Sequence, residues 1–326
     1  MKAAIVLLAL VLVAAAALWL AVRNNGPAVL DALDRVTGGA RGVELVAKAR
    51  YGTHPAQKLR IYRPDGYDDS QPLPVLLFVH GGSWSWGDPD DYNFIARAFA
   101  PAGFVVVLAG YRLGEDGRYP AMLEDTAAAI VETARLAPEF GGDSARIVLA
   151  GHSAGAYDVV QVALEERWLA ASGLQPAGVI GLSGPYDFYP FDKPSSKAAF
   201  GSVGAGAESQ PINHARADAP PMLLIHGDED TLVKPRNSRA LAAALGDAGA
   251  PGRRKPAGQP GPRRRAADAA DSRRGRRAGE TAQFARPGGS LGRCRGAGGN
   301  EILSRLRSQC AADLSGQPVA PVARRG

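Results

Sequence analysis

Short apolar segments alternate with longer amphipathic ones through the first 250 residues. Continuous apolar segments are typical of strands covered on both faces, as in a parallel sheet. The intervening segments have the length and periodicity of helices, and strands alternating with helices predict a doubly wound, mostly parallel α/β sheet. The predicted strands are residues 43–49, 58–62, 73–79, 104–109, 146–150, 177–182 and 222–225, and the predicted helices are residues 92–100, 120–136, 154–171 and 235–248.

The N-terminus, residues 1–22, is a hydrophobic segment in which Lys2 precedes 20 uncharged apolar residues. This length is sufficient to span a bilayer. An uncleaved membrane anchor and a cleaved signal peptide are both compatible with it, and either predicts an exported or membrane-anchored protein on the periplasmic or extracellular side. Residues 23–44 are expected to form a linker to a domain over residues 45–250.

Basic residues are concentrated at the C-terminus. The net charge of +6 arises because residues 1–250 carry 21 Lys+Arg and 27 Asp+Glu, whereas residues 251–326 carry 17 and 5. The predicted domain is therefore acidic, and we do not expect it to bind nucleic acid. Both cysteines, Cys294 and Cys310, also lie in the tail, so the first 250 residues have no thiol for a disulfide or a metal.

The tail, residues 251–326, differs in composition from the domain before it. Arg, Gly and Pro occur 16, 13 and 7 times there, and no strand-like or helical pattern is present. One interpretation is a basic, disordered tail that binds an anionic surface. The other is a G+C-rich message read out of frame from about residue 251, and it is favoured because the change falls in the middle of an expected domain.

The sequence Gly151-His152-Ser153-Ala154-Gly155 matches G-x-S-x-G between a predicted strand and a predicted helix. In this context the motif is typical of a nucleophile elbow, a sharp turn that exposes the serine oxygen. Glycines two residues before and after the serine avoid a collision in that turn. Ser153 is the candidate nucleophile, and the N–H of Ala154 is a candidate oxyanion donor at a helix N-terminus.

A second motif, His80-Gly81-Gly82-Ser83-Trp84, directly follows the LPVLLFV strand. Its two glycines allow a loop to approach a substrate carbonyl closely and present main-chain N–H groups to it. We expect Gly82 and Ser83 to complete the oxyanion hole, with His80 and Gly81 in its supporting loop and Trp84 in the pocket or the core.

Carboxylates follow the strand MLLI in the sequence HGDED. The acid of a catalytic triad is held at the end of a strand, where it orients an imidazole. Asp230 and Asp228 compete for this role, and Asp230 is the preferred candidate.

These motifs together resemble bacterial carboxylesterases of the α/β-hydrolase superfamily, near the hormone-sensitive-lipase-like and feruloyl-esterase-like groups. The resemblance covers roughly residues 45–250 and also includes YRLGEDGRYPAMLED, SGPYDF and PPMLLIHGDEDTLV. It implies a serine esterase that cleaves small carboxylic esters through an acyl-enzyme intermediate and requires no metal and no cofactor. A formamidase-like amide hydrolase and a non-catalytic binding protein are the alternatives.

The histidine of the implied triad is absent from its expected place, roughly 25 to 35 residues after the acid. The chain has five histidines and none after residue 226. Of these, His214 is a weak candidate to replace it, since His152 and His226 are fixed by the elbow and the strand end. We therefore expect a sheet that lacks its last strand and helix, and a chain with little activity, because an unassisted serine is a poor nucleophile.

Overall fold

The computed structural model describes residues 2–39, 41–201, 206–249, 283–284 and 292–293. Seven strands form one mixed sheet in the order β1-β2-β4-β3-β5-β6-β7. The strands β1 and β2 are antiparallel to their neighbours, and all other pairs are parallel. The strands are β1 (Val43–Arg50), β2 (Lys58–Pro64), β3 (Leu73–Val79), β4 (Val105–Ala109), β5 (Gly142–His152), β6 (Gly178–Leu182) and β7 (Met222–Ile225).

Helices cover both faces of the sheet, which confirms the predicted α/β-hydrolase architecture. The predicted helix over residues 154–171 ends earlier, at Leu164, and continues as two short 3-10 turns. A further helix in the connection between β6 and β7 was not predicted, because PSSKAAF is too short to show a clear periodicity. The helices are α1 (Lys2–Asp34), α2 (Asn93–Phe99), α3 (Ala121–Leu136), α4 (Ala154–Leu164), α5 (Pro194–Phe200) and α6 (Arg236–Asp247).

The central strands are apolar throughout because each one contributes to two cores. In β3, Val75, Leu77 and Val79 pack into one core with α3 and α4. Leu76 and Phe78 point to the opposite face and pack with residues of α2. Alternate residues of a strand point to opposite faces, so a strand buried on both sides has no polar positions.

The last strand of the sheet in the described part of the chain is β7. The two-residue strand Gln283–Phe284 lies beside β7, but it pairs with Gly292–Arg293 rather than with the sheet. The remainder of the tail, with the two interpretations of its sequence, lies outside the described residues.

The N-terminal helix α1 has two parts that meet at Asn25, whose backbone is not helical (φ −150°, ψ 77°). The first part is long and apolar enough to cross a membrane, and its apolar side chains are exposed. In the second part, the side chain of Asn25 accepts a hydrogen bond from the Ala28 N–H over 3.1 Å, as a helix cap does. Residues 26–34, expected in a linker, are therefore helical.

The second part of α1 is attached to the domain by buried charges. The guanidinium of Arg97 on α2 forms an ion pair with Asp31 at 2.6 Å, and each of these side chains is only 7% exposed. The same guanidinium also pairs with Asp34. A second contact joins the Asn25 amide to the carboxylate of Asp91 at 2.9 Å. The hydrophobic helix thus continues into a segment that packs on the domain.

Candidate active site

Ser153 occupies the turn between β5 and α4 with φ 53° and ψ −116°, a conformation that a residue with a side chain rarely adopts. Its N–H donates to the carbonyl of Leu182 on the neighbouring strand over 2.8 Å, which fixes the turn against the sheet. Every residue of α4 is buried, so the helix that follows the turn is held in the core. The predicted elbow geometry is therefore present at Ser153.

Close backbone approaches explain the two glycines of the elbow. A Cβ on Gly155 would lie 2.3 Å from the carbonyl oxygen of Val79 at the end of β3. A Cβ on Gly151 would lie 2.3 Å from the carbonyl oxygen of Gly155 itself. Backbone atoms form both obstacles, so no side chain can rotate away to make room. The elbow packs this closely against β3 only when both positions are glycine.

The loop after β3 lies next to the elbow and has three consecutive residues with positive φ: Gly82 (129°), Ser83 (53°) and Trp84 (59°). A Cβ on Gly82 would lie 1.7 Å from the carbonyl oxygen of Trp86, so only glycine fits there. Gly81 faces the elbow, since a Cβ there would lie 2.9 Å from Nδ1 of His152. The strained loop and the elbow thus meet at the ends of adjacent strands.

Three main-chain N–H groups at this junction donate no hydrogen bond to any described residue. They belong to Gly82, Ser83 and Ala154, the positions predicted to form an oxyanion hole. Buried N–H groups are almost always paired in folded proteins. Unpaired N–H groups beside a serine are suited to bind an oxygen that becomes negatively charged.

A cavity of about 280 Å³ opens at this junction. Ser83, Ser153 and Ala154 line it, and the Ser153 hydroxyl has no hydrogen-bond partner among the described residues. The opposite wall comes from the connection between β6 and β7 and from the loop before α6. The other lining residues are Trp84, Pro185, Phe188, Tyr189, Pro190, Asp192, Lys193, Ser195, Ser196, Leu232, Val233, Lys234, Arg236 and Asn237.

His80 supports the loop from within the core. Its Nδ1 lies 2.7 Å from the carbonyl oxygen of Gly81, and its ring stacks on Tyr111 at 4.7 Å between centroids. Burial lowers the pKa of His80 to about 4, because a charged imidazole there would lose its hydration. A neutral, enclosed ring of this kind holds the loop in place.

Trp84 links the loop to the nucleophile helix. Its indole Nε1–H donates to Oδ1 of Asp158 over 3.1 Å, and its ring packs against Tyr157, Phe188 and Phe200. Asp158 is fully buried, and its Oδ2 has no partner among the described residues. Burial raises the pKa of this carboxyl well above its ordinary value. Sequence reasoning missed Asp158, although an acid within AGAYDVVQVAL is an evident anomaly.

Asp230 lies in the turn after β7. Its Oδ1 accepts hydrogen bonds from the N–H groups of Leu232 and Val233 at 2.8 and 2.9 Å, and its Oδ2 lies 3.5 Å from Nε2 of His226. Its competitor Asp228 pairs instead with Arg239 on the surface at 3.0 Å. The backbone thus holds the Asp230 carboxylate, as the triad acid requires.

No described imidazole is hydrogen-bonded to Ser153. Both ring nitrogens of His226 are engaged, with the Ser238 hydroxyl and the Val233 carbonyl oxygen. His152 contacts the Tyr92 hydroxyl at 3.0 Å, and burial lowers its pKa, opposed by the charge of Asp230. His214 bonds the carbonyl oxygen of Glu208 and does not line the cavity. Among the described residues, no group of three or more potential ligands is placed to hold a metal.

Comparisons with known proteins identify the fold and the family. The BD-FAE family matches residues 59–245, more than half of the chain. The chain is similar to Esterase LipC of Mycobacterium tuberculosis, with 28% identity over 235 residues, which are 64% of this chain and 58% of that protein. It is also similar to Carboxylesterase NlhH of the same organism, with 43% identity over 98 residues, which are 30% of each chain. The chain thus spans little more than half of LipC and about a third of NlhH.

Solved esterase structures have the same fold. A structure described as Bacterial Heroin Esterase superposes with a TM-score of 0.57 and 24% sequence identity, covering 70% of this chain and 80% of that chain. At this identity the likeness establishes the shared fold and does not transfer a substrate.

Proposed function

The chain belongs to the BD-FAE family of α/β-hydrolases, and from this premise we propose that it is a serine carboxylesterase acting on small esters. One observation carries the proposal: Ser153, Ser83 and Ala154 line one cavity, and the N–H groups of Ser83 and Ala154 donate no hydrogen bond to any described residue. A nucleophile and the donors for the oxyanion that it creates must meet at one carbonyl.

In the proposed reaction the Ser153 oxygen attacks the ester carbonyl carbon while its proton passes to a base. The carbonyl oxygen becomes an oxyanion, which the N–H groups of Gly82, Ser83 and Ala154 stabilise. The bond to the alcohol then breaks, the alcohol leaves with the proton, and water releases the acid from Ser153. Asp230 is the proposed acid that orients the base.

The base is the missing component of the proposal. The described imidazoles of His152, His214 and His226 are hydrogen-bonded to groups other than Ser153, which supports the absence of a base among them. Loss of the base costs a comparable serine hydrolase on the order of 10⁶ in turnover. We therefore propose that the chain as written has negligible esterase activity and that the family's histidine belongs to a segment replaced by the tail.

Hydrolysis of p-nitrophenyl acetate and butyrate tests the proposal. The chain as written should show no turnover above that of Ser153→Ala. A protein whose residues after 250 are restored from another reading frame should hydrolyse both esters, and Ser153→Ala should abolish that activity. A burst of p-nitrophenol from the chain as written, lost in Ser153→Ala, would show that another group serves as base.

The two alternative functions make different predictions. A formamidase-like enzyme, once restored, would prefer an N-formyl aromatic amide to short acyl esters. A non-catalytic binding protein would use the basic tail, and the isolated tail would then bind acidic vesicles or DNA at low salt and release them at high salt. We favour the esterase because Ser153 lies beside N–H groups that have no partner among the described residues, an arrangement that a binding protein does not need.

A further inference from the structure

The cavity next to Ser153 has a charged rim. Its inner wall is largely apolar and includes Trp84 and Phe188, whereas three cations lie among the lining residues on the opposite side: Lys193, Lys234 and Arg236. The same lining contains one acid, Asp192. The rim therefore has an excess of positive charge.

These three cations form no ion pair with any described residue. The Lys193 ammonium donates to the carbonyl oxygen of Leu232 over 2.7 Å, and Lys234 and Arg236 have no side-chain partner among the described residues. Other cations of the domain form ion pairs, such as Arg112 with Asp125 at 2.8 Å, whereas Lys48 and Lys197, like the rim cations, form none with a described residue. Within the described part of the chain, no acid neutralises the charge of the rim cations, so an anion could pair with them.

The excess is local, because residues 1–250 carry more acids than bases, 27 against 21. A positive rim on an acidic domain attracts an anionic ligand to the cavity in preference to the rest of the surface. The basic tail carries only 5 acids and 17 bases, so it adds more positive than negative charge to the chain.

We propose that this rim is a subsite for a carboxylate and that the preferred substrates are monoesters of dicarboxylic acids. This proposal rests on the proposed function, in which the ester carbonyl lies against the N–H groups of Ser83 and Ala154. The second, ionised carboxylate of the substrate then reaches the rim, where Arg236 supplies a planar pair of donors and the two lysines supply point charges.

Binding to the full chain tests the subsite without requiring turnover. Monomethyl glutarate and dimethyl glutarate differ by one charge, and their dissociation constants are measured by ligand-observed NMR at 20 mM and 300 mM salt. The monoester should bind roughly fivefold more tightly at low salt, and salt should reduce the ratio, because exposed charges are screened.

In the variant Lys193→Gln/Lys234→Gln/Arg236→Gln, the dissociation constants of monomethyl glutarate and dimethyl glutarate should become equal. All three side chains are exposed, so the variant should retain the thermal unfolding profile of the parent chain. The matched control Lys48→Gln/Arg50→Gln/Lys197→Gln removes three exposed cations that do not line the cavity and should keep the preference.

Equal binding of the two esters by the parent chain would overturn the subsite, as would a preference that persists in the rim variant. Either result leaves the proposed esterase intact, because dimethyl glutarate still occupies the cavity. Failure of both esters to bind would count against the subsite and the proposed function together, whereas binding without turnover by the restored protein would count against the proposed function alone.

Discussion

The indole Nε1–H of Trp84 donates to the carboxyl of Asp158 over 3.1 Å and thereby ties the loop after β3 to the helix after Ser153. These two elements carry Ser83 and Ala154, which both line the cavity. Their relative position therefore depends on a buried polar contact between side chains 74 residues apart. Because this hydrogen bond is buried, it constrains the two elements more strongly than an exposed one would.

We predict that Asp158→Asn stabilises the protein increasingly as the pH rises from 4 to 7. The folded-state pKa of Asp158 is raised by burial, so the folded state holds a proton that the unfolded state releases above its ordinary pKa of 3.8. The contribution of Asp158 to stability is thus greatest below that pH and declines above it. Asparagine retains the acceptor for Trp84 without this penalty.

Urea denaturation at several pH values measures this effect. Asp143→Asn is the control of opposite sign, because the hydrogen bond from Arg146 lowers the pKa of Asp143. That substitution should cost stability at pH 7, and the cost should disappear as the pH falls below 3.8. If Asp158→Asn changed the free energy of unfolding equally at pH 4 and pH 7, the result would contradict a raised pKa of Asp158.

His80 should contribute to unfolding by acid. Its folded-state pKa of about 4 lies below the ordinary value of 6.5, so the unfolded state binds a proton first. The stability due to neutral His80 is complete above pH 6.5 and is lost as the pH falls towards 4, a change on the order of 3 kcal/mol.

Replacement by a group that does not titrate should flatten this pH dependence. We predict that the unfolding free energy of His80→Gln changes less between pH 6.5 and 4 than that of the parent chain. Burial also lowers the pKa of His152. The unfolding free energy of His80→Gln/His152→Gln should therefore depend on pH even less than that of His80→Gln. His54→Gln, at a partly exposed imidazole near Asp116, is the control. If the unfolding free energies of the parent chain and of His80→Gln changed equally with pH, His80 would have no role in acid unfolding.

Gly155→Ala should be one of the most damaging small substitutions in the domain. The added methyl group would lie 2.3 Å from the Val79 carbonyl oxygen, so β3 and α4 would have to separate. We expect a loss of at least about 2 kcal/mol in the free energy of unfolding, in the range found for overpacked cores. Gly227→Ala is the matched control, since apart from its chain neighbours no described residue has an atom within 4 Å of the added Cβ, and it should cost less than about 0.5 kcal/mol.

Arg97→Ala should release the second part of α1 from the domain. It leaves the buried carboxylate of Asp31 without its closest cation, a change that typically costs about 3 to 5 kcal/mol. Amide hydrogen exchange over residues 26–34 should become faster in this variant. Arg35→Ala should leave exchange unchanged, because Arg35 is largely exposed and Asp31 keeps Arg97. Protection that survives in Arg97→Ala would show that other contacts hold this segment.

The coding DNA provides a direct test of the tail. Read in the other two frames from about codon 245, it should encode a short apolar segment, then a Gly-His pair, then an amphipathic helix. The absence of a histidine in that context from both frames would refute the frame-error interpretation. The tail would then be genuine, and the base for Ser153 would have to be sought elsewhere.

The sequence was informative where local chemistry determines local structure. The limits of β3 follow from seven apolar residues between polar flanks, and the positive φ of Ser153 follows from glycines at 151 and 155. It was less informative where distant residues decide the outcome. The packing of residues 26–34 depends on Arg97, which lies more than 60 residues later. The local sequence NNGP, by itself, predicts a turn rather than a helix. Likewise, no local sequence pattern predicts the hydrogen bond between Trp84 and Asp158 or the position of the three cations at the rim of the cavity.

The kink at Asn25 and the ion pairs of Arg97 determine how far the α/β domain can move from the apolar segment of α1. A domain joined to a membrane anchor by a long flexible linker can move far from the membrane surface. Here the helix that follows the apolar segment is packed on the domain within about ten residues. With the apolar segment in a bilayer, the domain would turn about the membrane normal but hardly move away from the surface. Its encounters would then be confined to a thin layer next to the lipid headgroups, so it would meet ligands at their concentration in that layer rather than in bulk solution.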